Sequence, residues 1–240
     1  MLKKNLLVAA LAATFAVPAM AESPFSANVS ITSNYLYRGI SQTANKPAIQ
    51  GGFDYAHESG VYAGIWGSSI SWISDGNSAV NSAGTELDTY LGYSGEAADI
   101  GYDVGVLAYN YPADYGTALT ANTTEIYGSV SYMFLTAKYS RSTGNLFGVA
   151  NSSGSGYFDL SASYDLEDAG ISLGAHYGKQ TVANNSSSDY TDVNFSVSKE
   201  IGGYGFSAMY SKANVTGGLV DGQGNDLAKG TLVLAISKSM

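Results

Sequence analysis

The chain has no cysteine, only four prolines and few charged residues. The absence of cysteine excludes a disulfide-stabilised scaffold and any thiolate metal site. Asp, Glu, Lys and Arg make up 13% of the sequence, whereas about 25% is typical of soluble domains. Aromatic residues make up 12% of the chain, which disfavours a disordered protein. These features leave a globular or membrane β protein whose surface needs few charges.

Long apolar runs and excess positive charge are also absent. No segment beyond the N-terminal region reaches the roughly 18 consecutive apolar residues of a transmembrane helix. The formal net charge is −9, and nucleic-acid binding depends on basic residues that neutralise phosphates. We therefore expect no nucleic-acid partner, and either a secreted β protein or an outer-membrane barrel.

The first 21 residues have the pattern of a secretory signal peptide. Lys3 and Lys4 precede an apolar run over residues 6–17, and small alanines follow it. An N-terminal membrane anchor is the alternative, but the run is shorter than the roughly 20 residues that a spanning helix needs. The pattern predicts cleavage before Glu22 and an exported domain over residues 22–240.

The remaining sequence alternates apolar residues with polar or small ones, as β-strands with two different faces do. Residues 171–178 are an example, because Leu173, Ala175 and Tyr177 alternate with Gly174 and His176. Twelve such segments are present, with the length and pattern of outer-membrane strands. They are residues 26–38, 48–56, 61–70, 86–93, 102–111, 125–132, 135–141, 157–164, 171–178, 191–198, 204–211 and 231–240.

Short and long connections alternate along this series. The short ones are residues 57–60, 94–99, 133–134, 167–170 and 200–203. The long ones are rich in Gly, Asn and Ser and comprise residues 39–46, 71–84, 112–123, 142–156, 180–189 and 213–228. A secreted β-sandwich would not impose this alternation. It predicts an all-β, transmembrane, antiparallel up-and-down barrel of 12 strands, with short periplasmic turns and longer external loops.

Tyrosines on the apolar faces cluster near both ends of the predicted strands. Those next to long loops are Tyr37, Tyr139, Tyr177 and Tyr210, and those next to short turns are Tyr55, Tyr93, Tyr102, Tyr132, Tyr164 and Tyr204. Two such girdles are expected where aromatic rings meet lipid headgroups. Cross-strand tyrosine packing in a soluble sheet is the alternative. Residues 61–70 are apolar on both faces, and Tyr109 and Tyr111 depart from the alternation, which predicts a bulge there.

The segment NYLYRGISQT at residues 34–43, followed by KPAIQGGFDY at residues 46–55, resembles the TorF-type porin family. The segments AHESG (56–60), YAGIW (62–66), ELDTYLGY (86–93) and YNYP (109–112) are also similar to it. This family consists of exported proteins of Gram-negative bacteria long described as a domain of unknown function. The resemblance implies an outer-membrane barrel, and it supplies no proven substrate and no catalytic residue.

The C-terminus departs from the usual ending of outer-membrane proteins, which is an aromatic residue that the insertion machinery recognises. This chain ends in Met240, which continues the apolar alternation of Leu232, Leu234 and Ile236. We expect the C-terminal strand to contact the barrel-insertion machinery and the barrel to be surrounded by outer-membrane lipid.

The sequence offers little for catalysis or metal binding. Of the two histidines, His57 lies at a short turn and His176 on a predicted inward face. A hydrolase needs a nucleophile within reach of its base, so an outer-membrane lipid hydrolase is the least favoured function. Residues 221–226 resemble a single calcium-binding Gly/Asp turn, for which a solvated loop is the favoured alternative. We expect no enzyme, no metal and no cofactor.

The side chains that carry the functional hypothesis are predicted to line the barrel lumen. They are Arg38, Asp54, Glu86, Asp88, Asp103, Glu125, Lys138, Asp159, His176 and Asp192. Acids predominate among them, and an excess of lumenal carboxylates lowers the energy of cations. The hypothesis is a channel for passive diffusion of small hydrophilic solutes, with a preference for cations and a mouth narrowed by residues 142–156. The alternative is a plugged barrel in which these charges pair structurally and the loops bind a surface partner.

Overall fold

The structure is a computed structural model that describes residues 23–76, 83–115 and 120–240. The predicted signal peptide, residues 1–21, lies outside the described residues. In the described part of the chain, no helix has both the length and the apolar character that a membrane-crossing helix requires.

Twelve antiparallel strands of the described residues form one closed barrel. They are β1 (Phe25–Thr32), β4 (Ala48–Ala56), β5 (Val61–Ser69), β6 (Thr85–Ala97), β7 (Ile100–Asn110), β8 (Thr123–Tyr132), β9 (Leu135–Ser142), β10 (Gly156–Leu166), β11 (Ile171–Thr181), β12 (Tyr190–Ile201), β13 (Tyr204–Val215) and β14 (Thr231–Ser239). Each strand pairs with its neighbour in sequence, and β1 closes the barrel by pairing with β14 on one side and β4 on the other. The strands β2 (Leu36–Tyr37) and β3 (Ile40–Ser41) form a separate hairpin. The helical elements are α1 (Trp72–Gly76) and the 3-10 turns Glu167–Ala169 and Ser186–Ser188.

Opposite faces of the barrel strands have opposite chemistry, as the sequence predicts. In β12 the side chains of Val193, Phe195 and Val197 point outward and are 36%, 63% and 41% exposed, whereas the intervening Asp192 is 2% exposed. Exposed apolar residues of this kind occur on every strand of the barrel. Such a continuous apolar exterior is the pattern of a barrel that contacts lipid.

The connections confirm the predicted alternation of short and long. Short turns join β4 to β5, β6 to β7, β8 to β9, β10 to β11 and β12 to β13 at one end of the barrel, and longer connections lie at the other end. The predicted connection 94–99 is shorter than expected, because β6 continues to Ala97. Ala98 and Asp99 have φ angles of +50° and +64°, which is the conformation of a two-residue type I′ turn.

The predicted bulge near Tyr109 is wrong. Pairing of β7 with β8 runs without interruption from Ile100 opposite Tyr132 to Tyr109 opposite Thr123. Tyr109 and Tyr111 face inward, with the same parity as Asp103, and both are buried. They depart from the expected pattern because the barrel interior contains an aromatic cluster, which is described below.

The first predicted strand, residues 26–38, is too long. The barrel strand β1 ends at Thr32, after which the chain turns into the lumen and forms the β2–β3 hairpin. Asn34 stabilises this turn, because its Oδ1 accepts hydrogen bonds from Ser41 Oγ at 2.6 Å and Thr43 Oγ1 at 3.1 Å. The placement of Tyr37 in the outer girdle is therefore wrong.

The other tyrosines of the two predicted girdles lie on the outer surface. Tyr139, Tyr177 and Tyr210 are exposed at the end with long loops. At the end with short turns, Tyr93, Tyr102, Tyr132, Tyr164 and Tyr204 are exposed and Tyr55 is half-buried.

Candidate functional site

The wall formed by β5–β8 carries a cluster of aromatic side chains that fills this half of the lumen. Three inward tyrosines each lie against a glycine of a neighbouring strand, where any side chain would overlap the ring. The pairs in this wall are Tyr62 with Gly92, Tyr90 with Gly64 and Tyr127 with Gly105. This close packing accounts for part of the high content of Gly and Tyr in the chain.

Residues 35–42, which we call the lumen hairpin, cross the barrel interior from wall to wall. On one side, Tyr35 Oη donates a hydrogen bond of 3.1 Å to Glu86 of β6, and Tyr37 Oη donates one of 3.0 Å to Tyr109 of β7. On the other side, Gly39 lies against β12 and β13, where a Cβ atom would be only 2.7 Å from Asp192 Cβ. The lumen hairpin therefore narrows the barrel lumen.

Arg38 lies at the tip of the lumen hairpin. Its guanidinium donates to Glu125 Oε2 at 2.6 Å and to Gln180 Oε1 at 2.7 Å, and it lies 4.1 Å from the ring centre of Tyr157. The φ angles of Arg38 and Gly39 are +48° and +77°, so the tip is a type I′ turn. Arg38 was predicted on the inward face of the first strand; it does reach the lumen, but from a turn and not from the barrel wall.

Phe147 also enters this region from the loop between β9 and β10, which the sequence predicts to narrow the mouth. Its ring makes edge contacts with Tyr37 and Tyr109, with ring centres 5.4 Å and 5.3 Å apart. The lumen hairpin and this loop therefore pack together over the aromatic half of the lumen.

His176 joins two of the predicted lumenal carboxylates. Its Nδ1 lies 2.8 Å from Asp159 Oδ2, and its Nε2 lies 2.8 Å from Asp192 Oδ2. Tyr157 Oη also donates a hydrogen bond of 2.9 Å to Asp192 Oδ1. Both ring nitrogens face carboxylates, an arrangement that suits an imidazolium, which donates from both nitrogens. These three predicted residues thus form one ion-paired cluster on β10, β11 and β12.

Asp54, Asp103 and Lys138 lie nearer the end with short turns. Tyr90 Oη donates a hydrogen bond to Asp54, and Tyr62 Oη donates one of 2.6 Å to Asp103. The Lys138 ammonium lies 4.0 Å above the Tyr127 ring. Within the described residues, none of the three lies in an ion pair. Each of the three is instead in close contact with a tyrosine.

Glu86 and Asp88 lie in the filled half of the lumen. Each is 1% exposed, and Asp88 lies between Trp66 of β5 and Tyr109 of β7 in the sheet register. The two Asp88 oxygens accept no hydrogen bond from the residues that the structure describes. Aromatic side chains separate these two carboxylates from open space, which strand parity alone does not reveal.

A cavity of about 70 Å³ remains between the lumen hairpin and the wall formed by β9–β13. Five of the ten predicted lumenal residues line it, namely Arg38, Lys138, Asp159, His176 and Asp192. Ser140, Asn194 and Ser211 add uncharged polar groups to its wall. A cavity of this size and polarity accommodates a few water molecules.

Sequence reasoning missed Tyr35 and Gln180, which position the lumen hairpin. The available signal was local: Asn34 and the pair Arg38–Gly39 are turn residues inside a segment that otherwise alternates like a strand. Recognising this signal would have ended the first strand before residue 34.

The described residues contain no group of three or more His, Asp or Glu side chains arranged to hold a metal ion. In the Gly/Asp turn at residues 221–226, Asp221 accepts hydrogen bonds from the Asn225 side chain at 2.7 Å and from the backbone N–H of Gln223 at 2.9 Å. The Asn225 contact is the main cause that lowers the pKa of Asp221 below its usual range. The carboxylate thus holds its own loop together.

Known structures share the fold of this barrel. The KdgM porin is 7% identical to this chain with a TM-score of 0.56, and the match covers 90% of this chain and 99% of that one. The NanC porin is 9% identical with a TM-score of 0.53, covering 89% and 97%. At such low identity the likeness shows the architecture alone.

No curated protein matches the sequence. Residues 18–240 match a family model described as "Bacterial protein of unknown function (Gcw_chp)". This match covers all twelve strands and the lumen hairpin. The chain therefore belongs to the Gcw_chp family of bacterial proteins.

Proposed function

We propose that this protein is a narrow, porin-like channel of the outer membrane through which small hydrophilic solutes diffuse passively, and that it is a TorF-type porin. The observation that carries the proposal is the polar cavity between the lumen hairpin and the β9–β13 wall, inside a closed barrel whose exterior is apolar. In this proposal, the short turns face the periplasm and the long loops face outward. Residues 1–21 are the cleaved export signal.

The exterior supports the membrane part of the proposal. Leu232 and Leu234 of β14 are 63% and 54% exposed, whereas Val233 between them is fully buried. An exposed apolar side chain is stable in lipid and costly in water. The backbone of Met240 exchanges hydrogen bonds with Ala27, so the sheet pairing continues to the last residue. We propose that this C-terminal strand is recognised by the barrel-insertion machinery despite the missing aromatic residue.

The solute path that we propose follows the β9–β13 wall. From the cavity toward the short turns, most inward side chains of this wall are small, namely Thr136, Ser161, Ser163, Gly174, Ser196, Ser198 and Ser207. The acids Asp165 and Glu200 have the same inward parity and lie at the short-turn end. Small hydroxyl groups leave space and replace part of the hydration shell of a passing solute. In the arrangement seen in this structure, the cavity has room for a few water molecules.

The lumen charges favour cations. Arg38 is paired with Glu125, and His176 with Asp159 and Asp192. Asp54 and Asp103 accept hydrogen bonds only from tyrosines in the described structure, and Lys138 opposes them with one positive charge. The remaining excess is negative, which lowers the energy of a cation in the lumen and raises that of an anion.

A second candidate function is a plugged barrel that binds a surface partner through its loops. The specific observation in its favour is the extent to which the lumen hairpin, Phe147 and the aromatic cluster fill the lumen. An enzyme is the least supported function, because the contacts of the His176 ring are two carboxylates and a tyrosine. A hydrolase of the Ser–His type would need a serine within hydrogen-bond reach of that ring.

Conductance of the purified barrel in planar bilayers tests the proposal. We expect discrete single-channel currents and a reversal potential in a KCl gradient that indicates cation preference. Asp54→Asn combined with Asp103→Asn should reduce that preference. The control is Asp168→Asn, which removes an exposed carboxylate from the short turn between β10 and β11, outside the barrel strands, and should leave the reversal potential unchanged. Folded protein without any current would favour the plugged barrel.

A further inference from the structure

The backbone hydrogen bonds between the lumen hairpin and the rest of the described chain lie at its base. Its strands β2 and β3 pair with each other and with no barrel strand. At the base, Gln42 N–H donates to Tyr35 O at 2.8 Å, and Ser41 N–H donates to Leu227 O in a long loop at 2.9 Å. The tip, Tyr37–Ile40, contacts the barrel wall through side chains and the packing of Gly39. The lumen hairpin therefore keeps its shape through its own hydrogen bonds, without backbone pairing to a barrel strand.

Arg38 holds the tip in place under two unfavourable conditions. Its φ of +48° is in the left-handed region, where Asn or Asp is favoured over other non-glycine residues in a type I′ turn. Its side chain and that of Glu125 are only 7% and 2% exposed, so the ion pair forms at the cost of desolvating both charges. An Asn-Gly turn against an uncharged wall would avoid both costs. Strain and a buried charge pair at one position are characteristic of switch regions.

Movement of this tip would enlarge the path next to the cavity. The tip residues Tyr37, Arg38 and Gly39 line the cavity together with the wall residues Tyr157 and Asp192. Gly39 packs so closely on Asp192 that the tip has no further room toward the wall. The Arg38 contacts with Glu125 and Gln180 hold the tip in this position, and displacement of the tip breaks them.

We propose that the lumen hairpin is a gate, closed in this structure, and that the ion pair between Arg38 and Glu125 is its latch. This inference rests on the proposed channel function and adds its regulation. Opening separates the guanidinium from Glu125 and swings the tip toward the long-loop end. Gln180 and the Tyr37–Tyr109 hydrogen bond support the closed position.

Single-channel recording of latch variants tests the gate. Arg38→Gln and Glu125→Gln each remove the ion pair and should raise the open probability several-fold over wild type. Arg38→Glu should open the channel as well, and the swap of Arg38→Glu with Glu125→Arg should return the open probability toward the wild-type value. The matched control is Arg141→Gln, because Arg141 is the other arginine of the chain and is exposed. It should behave as wild type.

Folding of each variant is verified by its altered gel mobility before boiling. If Arg38→Gln does not fold, Tyr37→Phe serves instead, because it removes only the hydroxyl that bonds Tyr109 and should raise the open probability by a smaller factor. A conducting wild type whose open probability is unchanged in the folded latch variants overturns the gate and leaves the channel function intact. Absence of current in wild type and in every folded variant refutes the channel function itself.

Discussion

The packing of Tyr127 on Gly105 can be tested with a single added methyl group. Gly105 of β7 lies directly opposite Tyr127 of β8. In Gly105→Ala the new Cβ would lie 2.8 Å from the Leu91 carbonyl oxygen and overlap the tip of the Tyr127 ring. The carbonyl belongs to the barrel backbone and cannot move without distorting β6. Overpacking of this kind costs about 1–3 kcal/mol.

Displacement of the Tyr127 ring has a further cost. The ring would lose its hydroxyl contact with Tyr62, and a lost hydrogen bond costs about 0.5–1.5 kcal/mol. It would also move from beneath the Lys138 ammonium. We expect Gly105→Ala to lower the free energy of unfolding by about 2–4 kcal/mol in total.

The control for this change is Gly128→Ala on the facing strand. Gly128 points to the outer surface, and the nearest atom to an added Cβ is Val104 Cγ1 at 3.8 Å. This substitution restricts the unfolded chain without a clash and should be neutral or stabilise the barrel by about 0.4–1 kcal/mol. Urea unfolding of the barrel in lipid vesicles, followed by tryptophan fluorescence, measures both variants. Equal free energies of unfolding for the two would refute the claim that Gly105 is required for the packing of Tyr127.

Three further predictions concern the charged residues. His176→Ala leaves Asp159 and Asp192 buried without their cation and should destabilise the barrel by about 3–5 kcal/mol. Adding Asp192→Asn should recover part of this lost stability in the same urea assay. A double variant without any recovery would contradict the ion-paired cluster. Lys138→Met keeps an apolar chain over Tyr127 but removes the positive charge, so the reversal potential should shift toward higher cation preference, whereas Lys229→Met in an exposed loop should not change it. The pKa of Asp221 is lower in the folded loop than in the unfolded chain. Its contribution to the order of the loop is therefore present above the usual Asp pKa of about 3.9 and is lost as the pH falls through the lowered value. Limited proteolysis of the loop at acidic pH should show this loss, and Asp221→Asn should abolish the pH dependence.

The barrel strands were predictable because each strand separates two environments. Residues such as Val193 and Phe195 alternate with Asp192 and Asn194, and this period of two depends on nothing outside the strand. The inward direction of Asp159, His176 and Asp192 followed from the same period. Their ion pairing did not, because it depends on the register between neighbouring strands.

The sequence predictions that the structure contradicts concern aromatic residues that face inward. Tyr37 and Tyr109 were expected to be outward or irregular, because a sequence does not distinguish a ring in lipid from a ring packed on an interior glycine. The lumen hairpin was missed for the same reason, since Tyr35 and Tyr37 extend the alternation of β1 beyond its end at Thr32. Its position in the lumen depends on contacts with Glu86, Tyr109 and Glu125, which are distant in sequence and become neighbours only when the barrel closes.

The solute path that we propose along the β9–β13 wall can be tested by chemical modification of single residues. The chain has no cysteine, so single cysteines can be introduced at adjacent residues of β12. Ser196 faces the lumen against Gly174, and Val197 faces outward and is exposed. The decisive measurement is the single-channel current of Ser196→Cys and Val197→Cys before and after a charged thiol reagent. We predict that the reagent reduces the current of Ser196→Cys and leaves that of Val197→Cys unchanged; equal responses of the two variants would contradict a path through the lumen.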